Sequence, residues 1–195
     1  KLNKKVYLIN VNYSFNRAFE KISNKSKNYI SDCFKEGLKI LNSKQSNIII
    51  NGPISKRNFL QNKYPGITEY IYDKAKKKKS NRPVMLIFNK DLSVSPITTH
   101  IPLKFVHLKI NKKNVVNNVL NINYFYEKIL KIKPKIAMLG LNPHCESKLK
   151  YNEEMNVIIP AIKTLKKKKV NITGPHSADT FFLKNNLKNY NSVIG

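Results

Sequence analysis

Tryptophan is missing from this chain, and glycine, cysteine, arginine and acidic residues are all scarce. Only 6 glycines among 195 residues exclude a collagen-like or glycine-rich low-complexity chain. The two cysteines, Cys33 and Cys145, are too few for a disulfide framework and follow no CxxC metal spacing, so reduced thiols are expected. No apolar run approaches the ~20 residues of a bilayer-spanning helix. The lysine-rich start has neither the apolar stretch nor the small-residue cleavage site of a signal peptide. A soluble, cytoplasmic protein with no membrane partner is expected. Acid is the scarcest charge: 11 Asp+Glu against 37 Lys+Arg leave a net charge of +26, the usual footprint of a nucleic-acid binder. Yet only Arg17, Arg57 and Arg82 are arginines, and the planar guanidinium is what phosphate and base recognition favour. Lysine, asparagine and isoleucine are enriched together, as AT-rich codons encode them. The charge is therefore read as genome composition on solvated faces, with no nucleic-acid partner. The lysine runs 76–79 and 166–169 each follow a helix-like segment, where cations complement the helix dipole. A lysine-rich nucleic-acid-binding domain is the rival reading, and it would betray itself by one basic face and a steep salt dependence.

What is present is enough apolar sequence for a sizeable core, 41% of residues, arranged in alternating strand-like and helix-like segments. Residues 6–11 alternate as a strand does. Ser26 is placed to cap a helix to about Leu41, with Tyr29, Ile30, Cys33, Phe34, Leu38 and Leu41 at spacings of three and four. Residues 47–50 form a β-branched run, Ser55 opens a short helix through Leu60, and Thr68 opens another that reaches the first lysine run. Residues 83–88 and 93–97 read as strands joined by a turn, 111–130 as a long amphipathic segment, and 135–141 as a buried strand. Residues 151–165 read as a helix with Glu153 and Glu154 at its positive end, and 170–173 as a strand before a Gly174-Pro175 turn. Ser177 opens a helix to Leu187, and the apolar run 192–195 reads as a further core strand. This order predicts an α/β fold with a largely parallel sheet flanked by helices, one compact unit over 1–195 with no linker. With no initiator methionine and a last residue inside an apolar run, the chain reads as truncated at both ends, the middle of a longer polypeptide.

In open α/β sheets, ligands gather at the carboxyl ends of strands, so the loops after strands are the places to search. Two of them set a histidine beside a stiffening proline: Thr98-Thr99-His100-Ile101-Pro102 and Gly140-Leu141-Asn142-Pro143-His144. Rigidly held imidazoles suit a divalent metal, but spacing alone does not pair them, and each also fits an ordinary hydrogen-bonded loop histidine. His107 fits a packing or surface position, His176 a turn, and Cys145 a spectator thiol. Asp179 stands in the first turn of a helix, where the dipole favours a carboxylate with or without a site. Lys56 and Thr68 follow Gly/Pro turns at helix starts, which suit a phosphate; capping explains Thr68 equally well. Neither GxGxxG nor GxxxxGK[ST] occurs, so a Rossmann or P-loop nucleotide site is not supported.

The segments NGPISK (51–56), PGITE (65–69), TTHIPL (98–103), GLNPH (140–144), EEMNVIIPAI (153–162) and GPHSADTFF (174–182) together resemble the PdxA family of 4-hydroxythreonine-4-phosphate dehydrogenases. Order and spacing match across nearly the whole chain. The resemblance implies an isocitrate/isopropylmalate dehydrogenase-like fold and a homodimer. It implies NAD-dependent oxidation of 4-phosphooxy-L-threonine, then decarboxylation to 3-amino-2-oxopropyl phosphate, in pyridoxine biosynthesis. It assigns a divalent cation (zinc, cobalt, manganese or magnesium) to His100 and His144 near the dimer interface, a substrate contact to Thr68, and places lining the catalytic site to Asp179 and Lys56. Three features depart from the family pattern. Ile67 stands where the family commonly has a substrate-contacting histidine, the loop after His144 lacks its glycines, and the Tyr-His-Asp-Gln motif with the third metal histidine would follow Gly195. The 195 residues alone are accordingly expected to be inactive. A metal-dependent dehydrogenase of another phosphorylated hydroxy acid is the alternative that Ile67 keeps open.

Overall fold

Helix-period and strand-period segments alternate along the chain, and each finds its burial in a different place. The structure, a computed structural model, describes residues 6–75, 83–145 and 151–195, so the lysine run 76–79 and the stretch 146–148 lie outside the described residues. Where the sequence, lacking a linker, reads as one unit over 1–195, contacts divide the chain into two, Lys1–Pro83 and Val84–Gly195.

The first unit is helical. Helix α1 (Lys27–Asn42) buries Phe34 and Leu38, four residues apart on one face. Helices α2 (Lys56–Leu60) and α3 (Ile67–Ala75) bring Phe59, Leu60 and Tyr70 onto Phe34. Tyr70 meets Phe34 and Phe59 edge-on, its centroid 4.9 Å from that of Phe59, while Phe34 and Phe59 stack. Two expected strands do not form: residues 6–11 and 47–50 belong to no strand, and Val6, Leu8 and Ile50 are exposed. Alternation makes a segment able to be a strand, but a strand exists only where a neighbouring edge receives its backbone groups. Thr68 does not cap α3 but lies within its first turn, which begins at Ile67.

The second unit holds the sheet. Strands β1 (Ile87–Phe88), β2 (Ser93–Ser95), β3 (Ile136–Leu139), β4 (Ile172–His176) and β5 (Ser192–Ile194) are ordered β1-β2-β5-β3-β4. The β1–β2 pair is antiparallel, the hairpin that its short turn permits, and the other pairings are parallel. Strand β5 is central, with Val193 between Val94 and Ala137 in register. Alternation along β3 sends Ile136 and Met138 to one face, against Val119 and Ile122 of helix α5 (Lys112–Tyr124) and Ala161 and Leu165 of helix α6 (Ile159–Lys167). Ala137 and Leu139 face the other way, onto Phe181 and Leu187 of the short helices α7 (Ala178–Phe181) and α8 (Lys184–Leu187). Both faces are covered, as a parallel sheet requires.

Local chemistry explains the ends. Asn111 caps α5 by accepting the Asn114 N–H, and a π-helical turn, Phe125–Leu130, extends it. There the buried Tyr126 donates its hydroxyl to the Asn191 carbonyl at 2.7 Å. The expected helix at 151–165 begins as a π-helical turn, Glu154–Ile158, and α6 closes with Lys166 and Lys167 against its negative end. Two expectations are corrected. Gly174-Pro175 is not a turn but lies inside β4, which is tolerable because β4 is an edge strand and proline needs no ladder partner there. The helix expected from Ser177 to Leu187 is split into α7 and α8, with Leu183 between them in extended conformation.

Candidate active site

Parallel strands release their loops at one edge, and the loops after β2, β3 and β4 carry most of the candidate chemistry. Strands β3 and β4 are neighbours, so their loops run side by side, joined by Gly140 N–H donating to the His176 carbonyl at 2.9 Å. This is why His144 and Asp179 meet: Nδ1 of His144 stands 3.1 Å from Oδ2 of Asp179. Neither residue is buried. The Ser177 hydroxyl donates to Asp179, and that hydrogen bond, with the adjacent His144, holds the Asp179 carboxyl below the usual carboxylate range. Ser177 is thus spent on the carboxylate rather than on capping α7.

His100 sits on the loop after β2, exposed and in left-handed conformation at φ 53°. Strand β5 separates β2 from β3, so the two histidine loops leave the same edge about 10 Å apart at their roots, two strand spacings. His144 is also left-handed, at φ 56°. Among the described residues no group of three or more His, Cys, Asp and Glu side chains converges as a metal cage. What the geometry does supply is an oriented imidazole. With Nδ1–H of neutral His144 given to Asp179, Nε2 keeps its lone pair, the carboxylate–histidine arrangement that metal-ligating histidines commonly use. The oriented imidazole of His144 thus suits a divalent cation as one nitrogen donor, while the described residues form no complete cage.

Lys56 and Thr68 belong to the first unit: Lys56 is the exposed first residue of α2, and Thr68 is exposed on the first turn of α3. Ile67 beside it packs against the cluster of Phe34, Phe59, Leu60 and Tyr70. His107 is exposed on helix α4 (Val106–Lys109). His176 is structural in its contacts: Nε2 lies 2.9 Å from Thr173 Oγ1, the ring rests on Phe181, and burial pushes its pKa below the ordinary histidine value. It also lines a pocket of about 280 Å³ with Ser177, Thr180, Asn186 and Tyr190.

One residue of the site escapes sequence reasoning. Glu154, which looks like a dipole-complementing acid at a helix start, is 1% exposed. Its Oε1 accepts the N–H groups of Leu141 at 2.7 Å and Asn142 at 2.8 Å, and its Oε2 accepts the Asn142 side-chain amide at 2.8 Å. Burial alone would raise its pKa, but the hydrogen bonds from Asn142 and Leu141 outweigh that and hold the carboxyl below the ordinary glutamate value. No local signal ties Glu154 to a loop a dozen residues earlier. Only the paired occurrence of GLNPH and EEMNV could have suggested it.

Residues 1–195 match the family described as pyridoxal phosphate biosynthetic protein PdxA. The chain belongs to the PdxA family. A 4-hydroxythreonine-4-phosphate dehydrogenase of Sulfurihydrogenibium is 37% identical over 97% of this chain and 58% of its own length. Among solved structures, a 4-hydroxythreonine-4-phosphate dehydrogenase from Burkholderia phymatum is similar at TM-score 0.75 and 27% identity, over 89% of this chain and 53% of that one. The Klebsiella pneumoniae enzyme of that name matches in fold at TM-score 0.78 and 24% identity, over 90% of this chain and 54% of the other. This PdxA chain thus spans roughly half the length of those relatives, and its sheet and helices have the isocitrate dehydrogenase-like fold. Among the described residues no helix is long and apolar enough to cross a membrane.

Proposed function

We propose that this chain contributes the metal-binding edge of an NAD-dependent dehydrogenase that oxidises 4-phosphooxy-L-threonine, whose product loses carbon dioxide to give 3-amino-2-oxopropyl phosphate. The observation that carries the reading is the His144–Asp179 pair at the carboxyl edge of the parallel sheet, in a chain matched along its whole length by the PdxA family. His100 and His144 are the nitrogens that would hold the cation. When bound, the cation supplies Lewis-acid polarisation of an alcohol and of the enolate left by decarboxylation, and NAD supplies the hydride acceptor. Asp179 accepts a hydrogen bond from Nδ1–H of His144 and so keeps Nε2 available; it acts through the imidazole, as a positioning carboxylate. Lys56 and Thr68 offer an exposed ammonium and hydroxyl suited to the phosphate and carboxylate of such a substrate. The protein is proposed to work as a cytoplasmic homodimer, with the metal near the interface.

The test is NADH formation from 4-phosphooxy-L-threonine by the enzyme carrying this chain. Chelation of divalent cations should abolish it, and re-addition of cobalt, zinc, manganese or magnesium should restore it. His144→Ala and His100→Ala should each lower kcat/KM by at least about a hundredfold, roughly 2.7 kcal/mol or more of lost transition-state stabilisation. Turnover indifferent to chelator and to both substitutions would overturn the reading. Faster turnover of a different phosphorylated hydroxy acid would favour the alternative substrate that Ile67 keeps open.

A further inference from the structure

Glu154 is a buried carboxylate aimed at the backbone of a loop rather than at solvent or an opposite charge. Burying an ion is costly, and an apolar residue at such a position is often as stable or more so, so a buried glutamate needs a reason. Its oxygens receive two successive backbone N–H groups, those of Leu141 and Asn142, and the Asn142 amide, all on the loop that ends in His144. The Asn142 amide also reaches Oε2 of Glu153, at 2.9 Å. Gly140 makes room for this clasp: a Cβ there would lie 3.1 Å from Oε1 of Glu154 and 2.6 Å from Sγ of Cys145. Downstream, His144 and Cys145 stand at φ 56° and 58°, a left-handed conformation that costs an ordinary residue roughly 1–2 kcal/mol and persists only where the surroundings hold it.

We propose that Glu154 is a positioning residue for His144: its carboxylate clasps the Leu141–Asn142 backbone and thereby fixes where the His144 imidazole is presented. Asp179 orients the ring, and Glu154 orients the chain that carries it. The assignment rests on the reading of His144 as a metal ligand. It names a residue that touches neither cation nor substrate and still sets the affinity for the cation.

The experiment has two readouts. The first is amide hydrogen exchange by NMR on the metal-free protein. In Glu154→Met, which keeps the length of the side chain and removes both acceptor oxygens, the Leu141 and Asn142 N–H groups should exchange at least about tenfold faster, while Ala137 and Met138 of β3 keep their protection. The second is Co²⁺ titration followed by its visible absorption. Binding by Glu154→Met should weaken about ten- to a hundredfold, with an altered band shape. Asn142→Ala, which removes only the side-chain contact, should move both readouts the same way by less, and it serves if Glu154→Met does not fold. Unchanged Leu141 and Asn142 exchange, or loss of protection in β3 to the same degree, would overturn the proposal by making Glu154 a spectator or a global stabiliser. Undiminished Co²⁺ affinity with faster loop exchange would also overturn it, by severing the loop from the ligand. No Co²⁺ binding by the unsubstituted protein would instead overturn the metal reading of His144, while amide exchange still judges the clasp.

Discussion

At the scale of single residues, the same side-chain type carries different meaning according to what it faces. Four histidines are present, and the structure sorts them by their partners: His144 by Asp179, His176 by Thr173 and Phe181, His100 and His107 by solvent. Ile67 stands where the family resemblance leads one to expect a substrate-contacting histidine, and it packs against the Phe34–Phe59–Leu60–Tyr70 cluster. An aliphatic chain is at home there, whereas an imidazole would bring polar nitrogens into apolar contact. Ile67→His should therefore lower the stability of the first unit by about 1–2 kcal/mol, measured by urea denaturation. It should change kcat/KM by no more than several-fold. A gain near a hundredfold would show instead that the position is a damaged substrate contact, because one charge-assisted hydrogen bond restores about that much.

Elements are held by where they find partners, and the β3–β4 pair shows this most plainly. The register shifts between Ala137 and Leu139, and opposite the shift stands Gly174 at φ 127°, a region that side-chain-bearing residues avoid. A Cβ there would be driven into the Met138 carbonyl oxygen, a backbone atom that cannot swing away. Gly174→Ala is accordingly expected to destabilise the second unit by about 2–3 kcal/mol, read as a fall in denaturation midpoint without a change in slope. Because β3 and β4 carry the His144 and Asp179 loops, the same substitution should weaken cation binding. A neutral effect on stability would show that the bulge adapts.

On the scale of the whole molecule, acid-side instability follows from groups whose pKa is depressed in the fold. Burial lowers the pKa of His176 in the fold, so the unfolded chain binds more protons and the contribution of His176 to stability is present above the ordinary histidine value, then lost as pH falls through the lower folded one. Glu154 and Asp179 act in the same direction at lower pH: their contribution is present above the ordinary carboxylate values and lost as pH falls through the depressed folded values. Protonating carboxylates also leaves the charge of +26 less compensated, which adds self-repulsion that salt screens. Stability from denaturant titration should thus fall in two stages, one beginning below about pH 6.5 and the other below about pH 4, and His176→Gln should remove the upper stage. A stability that rises on acidification would contradict the assignment.

Sequence alone determined the helices of strong period, α1, α5 and α6, the alternating α/β order, the motif loops and the family, because periodicity, caps and turn residues act over a few neighbours. Tertiary structure decided the rest. Residues 6–11 and 192–195 look equally strand-like, yet only the second lies where β2 and β3 offer backbone partners on both sides, so only the second is a strand. Gly174-Pro175 reads as a turn until the edge position of β4 excuses the missing N–H. His144 and Asp179 are separate candidates until the adjacency of β3 and β4 joins them, and Glu154 is a surface acid until the fold buries it under the Asn142 loop. Strand pairing and polar burial depend on which distant segments become neighbours, and that is settled by the packing of the whole core rather than by any local run of residues.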